Sequence, residues 1–214
     1  MSASVTILYE EQRAHGNSFG LHTLVKTCVH DALNGDRYRI EKMLADARPL
    51  KGVQNVLRAC REELDLIAID GRDVIAVIDN DAIRHHLKLP RTASHARVEQ
   101  EIRRGSRAPD RLAIVLLVQN TESVLKAAAE CDASLDPKRV ERAVEHKDML
   151  ERDAIFLELS RERARPLRDC VLGRMPSLRT LFDLLVSKLS HTTGKAAPTK
   201  NARAPEGKRT RRGK

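Results

Sequence analysis

The chain has 214 residues and a formal net charge of +9 at pH 7, and that length is sufficient for one domain with a hydrophobic core. Its apolar runs are too short to span a membrane, and the first, residues 5–9, lacks the basic flank of a signal peptide, so we expect a cytoplasmic protein. The cysteines form no CxxC pair, which argues against zinc-ribbon and disulfide-framework classes and predicts buried, reduced thiols at Cys28, Cys60, Cys131 and Cys170.

The first predicted elements are a strand and an amphipathic helix. Residues 5–9 are rich in β-branched and apolar side chains and predict a strand, after which Glu10 and Glu11 follow directly. A polar, glycine-containing loop leads to residues 21–33, whose apolar positions recur with helical spacing. Alternation between residues 38 and 44 favours a second strand that ends near Ala45.

A second helix and an apolar strand follow. The spacing of Val53, Val56, Cys60 and Leu64 predicts the helix, and residues 66–69 either extend it or form a connector. Residues 74–78 contain only β-branched side chains and one alanine, which predicts a strand covered on both faces, as in a parallel sheet.

Two carboxylates stand at the end of that strand, at Asp79 and Asp81. Acids placed at the carboxyl end of a strand repel each other unless a cation or protons lie between them, and Mg²⁺ or Mn²⁺ suits oxygen ligands. The sequence Asp79-Asn80-Asp81 is also a good turn and helix N-cap, so both interpretations stay open here.

The last strand is predicted at residues 112–118, before a helix over residues 123–130. Glu122 lies between them, either as a first-turn carboxylate favoured by the helix dipole or as a further member of an acidic site. A basic insert around residues 84–88 and a polar helix over 97–104 precede this strand.

The C-terminal third is predicted to be helical. Residues 136–159 and a helix from Pro176 form a helical part that packs on the sheet, and no fixed-period repeat is visible. We divide the chain into an α/β domain at 1–130, a helical extension at 131–190 and a tail at 191–214.

The tail holds eight Lys or Arg residues and one Glu, so seven of the nine net positive charges belong to it. Its composition predicts disorder and salt-sensitive contact with phosphate backbones, although a purely solubilising role is equally open. The tail residues that we expect to contact nucleic acid are Lys208, Arg209, Arg211 and Arg212.

Because parallel strands end at one edge of a sheet, the acids after three strands should converge there. The run from Ile7 to Glu10, the turn at residues 50–55 and the strand ending in Asp79-Asn80-Asp81 resemble a Toprim domain, the metal-binding fold of topoisomerases, DnaG-type primases and OLD-family nucleases. Residues 118–122 are similar to the later acidic segment of small OLD-like and RloB-like bacterial proteins.

This resemblance, over roughly residues 5–130, implies a Toprim-like, mostly parallel sheet flanked by helices. It implies a metal-dependent nuclease, with Glu10, Asp79 and Asp81 as catalytic and metal-binding residues and Glu122 as a fourth ligand. Lys51 corresponds to a basic turn residue that contacts phosphate, although a solvated lysine is the plainer interpretation. Glu11 departs from the family, because a glycine usually stands there.

The resemblance also implies a role in phage defence beside a separate ATPase, since the chain has no Walker A motif of its own. The alternative is a non-catalytic Toprim-like module that binds nucleic acid or a partner ATPase. The separation of the Glu10, Asp79 and Asp81 carboxyl groups distinguishes the two, because an ion-binding site needs them within roughly 4–6 Å.

Overall fold

The computed structural model describes residues 5–11, 19–33, 37–104, 106, 108–118 and 121–193, without the side chains of 67–70, 81–82 and 191–193. The strands in this part of the chain are β1 Val5–Tyr9, β2 Asp46–Pro49, β3 Asp73–Asp79 and β4 Leu112–Leu117. Its helices are α1 Gly20–Leu33, α2 Arg37–Met43, α3 Val53–Asp70, α4 Asn80–His86, α5 His95–Arg103, α6 Thr121–Cys131, α7 Pro137–Val144, α8 Met149–Leu159, α9 Arg165–Arg174 and α10 Pro176–Thr193. The predicted basic tail from residue 194 lies outside the described residues.

The four strands form one parallel sheet in the order β2-β1-β3-β4. In the centre of the sheet, Ile7 of β1 is in register with Ala47 of β2 and Ile75 of β3. This arrangement confirms the predicted α/β class, with a parallel sheet flanked by helices.

Helices cover both faces of the sheet, which explains the continuous apolar run of β3. Val74, Ala76 and Ile78 lie in a core shared with α3, α4 and α5. Ile75 and Val77 lie in the opposite core, which contains residues of α1, α2 and α6–α10. Side chains alternate between the two faces because successive residues of a strand point in opposite directions.

The second predicted strand is wrong in position. Residues 37–43 form helix α2, and the strand follows it at residues 46–49. Ile40, Met43 and Leu44 are buried at helical spacing, whereas Tyr38 and Lys42 are exposed. The apparent alternation was therefore a coincidence on an amphipathic helix. The strand itself is a short polar edge strand, where Pro49 is tolerated.

The later elements match the predictions, except that one predicted helical stretch is divided in two and one helix is additional. Residues 66–69 extend α3, and the charged stretch 136–159 is divided into α7 and α8. Helix α9 was not predicted. Helix α10 begins at Pro176, as expected, and contacts both α1 and β4. The domain boundary near residue 130 stays a prediction.

The cysteine prediction is half wrong. Cys28 and Cys60 are free and buried, as expected. Cys131 and Cys170 instead form a disulfide between the end of α6 and α9. A sequence separation of 39 gave no sign of the pairing, because the two thiols meet only through the packing of α6 on α9.

Among the described residues, no helix combines the length and apolarity that a transmembrane span requires.

Candidate functional site at the carboxyl edge of the sheet

A cavity of about 160 Å³ opens where β1, β3 and β4 end. The parallel order of the sheet places all three strand ends on this edge. The residues that line the cavity are Tyr9, Glu10, Glu11, Leu21, Val77, Asp79, Leu117, Thr121, Glu122 and Arg152. Four carboxyl groups and one guanidinium group therefore share a space that has room for several water molecules.

Glu10 is held by the backbone of the neighbouring strand β3. Its own N–H donates to the carbonyl of Val77 at 3.0 Å, continuing the β1–β3 ladder. Its carboxylate oxygen Oε2 accepts from the N–H of Asp79 at 2.9 Å. Burial raises the pKa of Glu10, and the N–H groups of Asp79 and Val53 and the nearby imidazole of His86 offset part of this rise. The fold thus fixes a carboxyl group with increased proton affinity beside the end of β3.

Asp79 occupies the N-cap position of α4 but does not cap it. The residue has extended backbone angles, φ −67° and ψ 131°, and its side chain accepts no cap hydrogen bond. Capping is the chief structural role of an aspartate at this position. The geometry therefore weakens the interpretation of Asp79 as a helix cap. The side chain of Asp81 lies outside the described residues.

Glu11, the departure from the resembled family, is paired within the cavity. Its carboxylate forms an ion pair with Arg152 of α8 and accepts a hydrogen bond from Thr121 Oγ1 at 2.6 Å. The side chains of Glu11 and Arg152 are only 16% and 12% exposed, so the pair is largely removed from water. Sequence reasoning missed Arg152, which lies 141 residues away on a strongly charged helix.

Glu122 lies in the first turn of α6 and lines the cavity with Glu10 and Asp79. Lys51 is exposed in the turn before α3 and is not a lining residue. The next residue, Gly52, donates its N–H to the Glu10 carbonyl at 3.2 Å. The structure thus brings three of the predicted acids together and leaves Lys51 outside them. Lys208, Arg209, Arg211 and Arg212 fall beyond the described residues.

The donor set is compatible with a hard divalent cation. Within the described residues, no three His, Cys, Asp or Glu side chains are already arranged around one ion. The hydrogen bonds explain this, because Glu10 Oε2 is turned to a backbone N–H and Glu11 to Arg152 and Thr121. Mg²⁺ usually needs one or two protein carboxylates and keeps several waters, which Glu10, Asp79 and Glu122 can satisfy.

No protein-family model matches the chain, and no curated protein sequence matches it. A solved structure, the C-terminal region of the Xanthomonas campestris pv. campestris OLD protein, is similar with 11% identity and a TM-score of 0.33. The similarity covers 90% of this chain and 96% of that one. A TM-score this low does not establish a common fold.

Proposed function

We propose that the chain is a divalent-metal-dependent nuclease that hydrolyses phosphodiester bonds at the cavity lined by Glu10, Asp79 and Glu122. One observation carries the proposal: acids from the ends of three parallel strands line one cavity. Because local turn and helix-dipole interactions do not explain why these acids converge on one cavity, a shared ligand is the better explanation.

In this proposal, Glu10, Asp79 and Glu122 hold the cation together with water, and Asp81 is a further candidate ligand. A divalent ion bound there polarises a phosphoryl oxygen and lowers the pKa of a water molecule. Glu10 is the group best placed to hold a proton during hydrolysis, since burial already raises its pKa. The hydrogen bond from the Asp79 N–H helps to keep the carboxyl group oriented.

Arg152 limits the negative charge of the cavity in this proposal. A phosphodiester is anionic and would be repelled by four uncompensated carboxylates. The ion pair with Arg152 neutralises the Glu11 carboxylate and so lowers the net negative charge of the cavity. Arg152 of α8 thus neutralises Glu11, which stands where the resembled family usually has a glycine.

The test combines metal binding with cleavage. Calorimetric titration with Mn²⁺ should show a binding site that Asp79→Asn weakens at least tenfold and that Asp110→Asn leaves unchanged. Asp110 is a suitable control because it is exposed just before β4, at the opposite end of the strands. Supercoiled plasmid and structured RNA are then incubated with Mg²⁺ or Mn²⁺, and nicking by the wild type should be lost in Asp79→Asn.

A second matched pair addresses Glu122. Glu122→Gln removes a carboxylate from the first turn of α6, whereas Glu130→Gln removes one from the exposed far end of the same helix. Only the first should reduce cleavage. If the wild type binds no Mn²⁺ and cleaves neither substrate, the nuclease proposal is wrong, and a non-catalytic binding module takes its place.

A further inference from the structure

A segment without acidic residues follows the cavity directly. Residues 84–97, here called the basic segment, contain four Lys or Arg residues, three histidines and neither Asp nor Glu. The exposed Lys, Arg and His residues of the segment are His85, His86, Lys88, Arg91, His95 and Arg97. In a chain whose first 190 residues are nearly neutral, this is a strong local excess of positive charge.

Buried residues and one arginine hold the basic segment in place. Ile83 directly before the segment and Val98 directly after it are fully buried in the core that contains α3. Arg84 donates to the carbonyl of Ala93 and to Asn80 Oδ1, both at 2.8 Å, and so bridges the two ends of the turn. The exposed cations are therefore displayed on a fixed surface rather than on a loose loop.

The positive charges in this region differ in whether carboxylates already neutralise them. Arg97 and Arg104 pair with Glu101, and Arg103 pairs with Glu99. Among the described residues, no carboxylate lies within 4 Å of Lys88 or Arg91. These two side chains are exposed cations that are available to an anionic partner.

The basic segment adjoins the cavity. Helix α4 starts at Asn80, directly after Asp79 of the cavity, and its seven residues span about 10 Å. His86 in its last turn is close enough to Glu10 to influence that carboxyl group electrostatically. A polyanion lying along the segment would therefore extend toward the end of β3, where Asp79 lines the cavity.

We propose that the basic segment is the surface that binds the phosphate backbone of the nucleic acid cleaved at the cavity, with Lys88 and Arg91 as its principal contacts. The proposal rests on the proposed nuclease function. Since the segment contains no Phe, Tyr or Trp for base stacking and its principal cations are Lys88 and Arg91, we expect contact to phosphates that is independent of sequence. Its chemistry suits DNA and RNA alike.

The experiment measures binding separately from cleavage. Fluorescence anisotropy with a labelled 20-bp DNA duplex and an RNA duplex of the same sequence is recorded in EDTA, over a series of salt concentrations. The test variant is Lys88→Glu/Arg91→Glu in the full chain. The control is Lys138→Glu/Arg163→Glu, which reverses two exposed charges on α7 and the turn before α9, elements that pack on the other face of the sheet. Each comparison is repeated with the tail cations at 208, 209, 211 and 212 changed to alanine.

Loss of two phosphate contacts should reduce the slope of log affinity against log salt by about 2 and weaken binding about tenfold or more at low salt. The control should bind as the wild type does. Lys88 has a positive φ of 56°, a conformation that favours glycine, so Lys88→Gly should retain the fold and still weaken binding. Equal binding by the test and control variants would overturn the proposal.

Two further outcomes are informative. If the basic-segment variant loses affinity for phosphatidylglycerol vesicles but not for either duplex, the segment binds a lipid surface and the proposal is overturned. If the duplexes bind as predicted but no metal-dependent nicking occurs, the proposed function fails while the phosphate-binding surface stands.

Discussion

Removal of Arg152 tests how helix α8 supports the cavity. Arg152→Met keeps most of the side-chain volume, removes the ion pair with the Glu11 carboxylate and retains the hydrogen bond from Thr121. Breaking a buried ion pair from one side costs about 3–5 kcal/mol, and the exposed fractions of 12% and 16% reduce this to about 2–3 kcal/mol. For a chain of this size, that corresponds to a fall in Tm of roughly 4–12 °C.

The assay is urea unfolding followed by circular dichroism, in a double-mutant cycle with Glu11→Gln. Since the glutamine has no charge left to neutralise, the cost of Arg152→Met should fall to about 1 kcal/mol or less in that background. The exposed pair Arg37–Glu41 supplies the control, because its side chains are 78% and 47% exposed and Arg37→Met should cost under about 0.5 kcal/mol. Equal costs for Arg152→Met with and without the Glu11 carboxylate would refute the reasoning.

Three further predictions concern stability. Burial lowers the pKa of His22 to about 4, so on acidification the unfolded chain binds a proton at this imidazole before the folded chain does. The free energy of unfolding should therefore fall by about 2 kcal/mol from pH 7.5 to 5, and by much less in His22→Gln. Urea unfolding at the two pH values measures this change. Arg168→Met should lower the free energy of unfolding in urea by about 3 kcal/mol, because the buried guanidinium pairs with Asp31 and donates to two backbone carbonyls. The control Arg163→Met, at an exposed position, should leave it unchanged. Gly20→Ala should lower the Tm measured by calorimetry by several degrees, because the new Cβ would lie 2.5 Å from Asp153 Oδ1 and from Phe156 Cβ. In the control Gly173→Ala, the new Cβ meets no atom within 4 Å, so no such clash lowers the Tm.

The sequence predicted β1, β3 and β4 well because their signal is local. Their short apolar runs are buried between helices on both faces of the sheet, and the parallel direction of the strands places the acids that follow them at one edge. Strand β2 was misplaced because an edge strand of four half-buried residues has no such run.

The features that the sequence did not predict, in the site and in the fold, depend on contacts between residues that are distant in the chain. Arg152 reaches Glu11 across 141 positions, and Cys131 meets Cys170 only because α6 packs on α9. Neither pair has a periodic pattern. The one available signal was Glu11 itself, since a second carboxylate next to Glu10 requires a neutralising partner somewhere in the fold.

The most direct test of the central claim is a crystal structure of the chain soaked in Mn²⁺, with anomalous diffraction used to locate the ion. The proposal predicts a peak in the cavity at the carboxyl edge of the sheet, about 2.0–2.3 Å from oxygens of Asp79 and of Glu10 or Glu122. Asp79→Asn should lose that peak. Manganese found only at other sites, with the cavity filled by water, would contradict the claim that the strand-end acids gather to hold a cation.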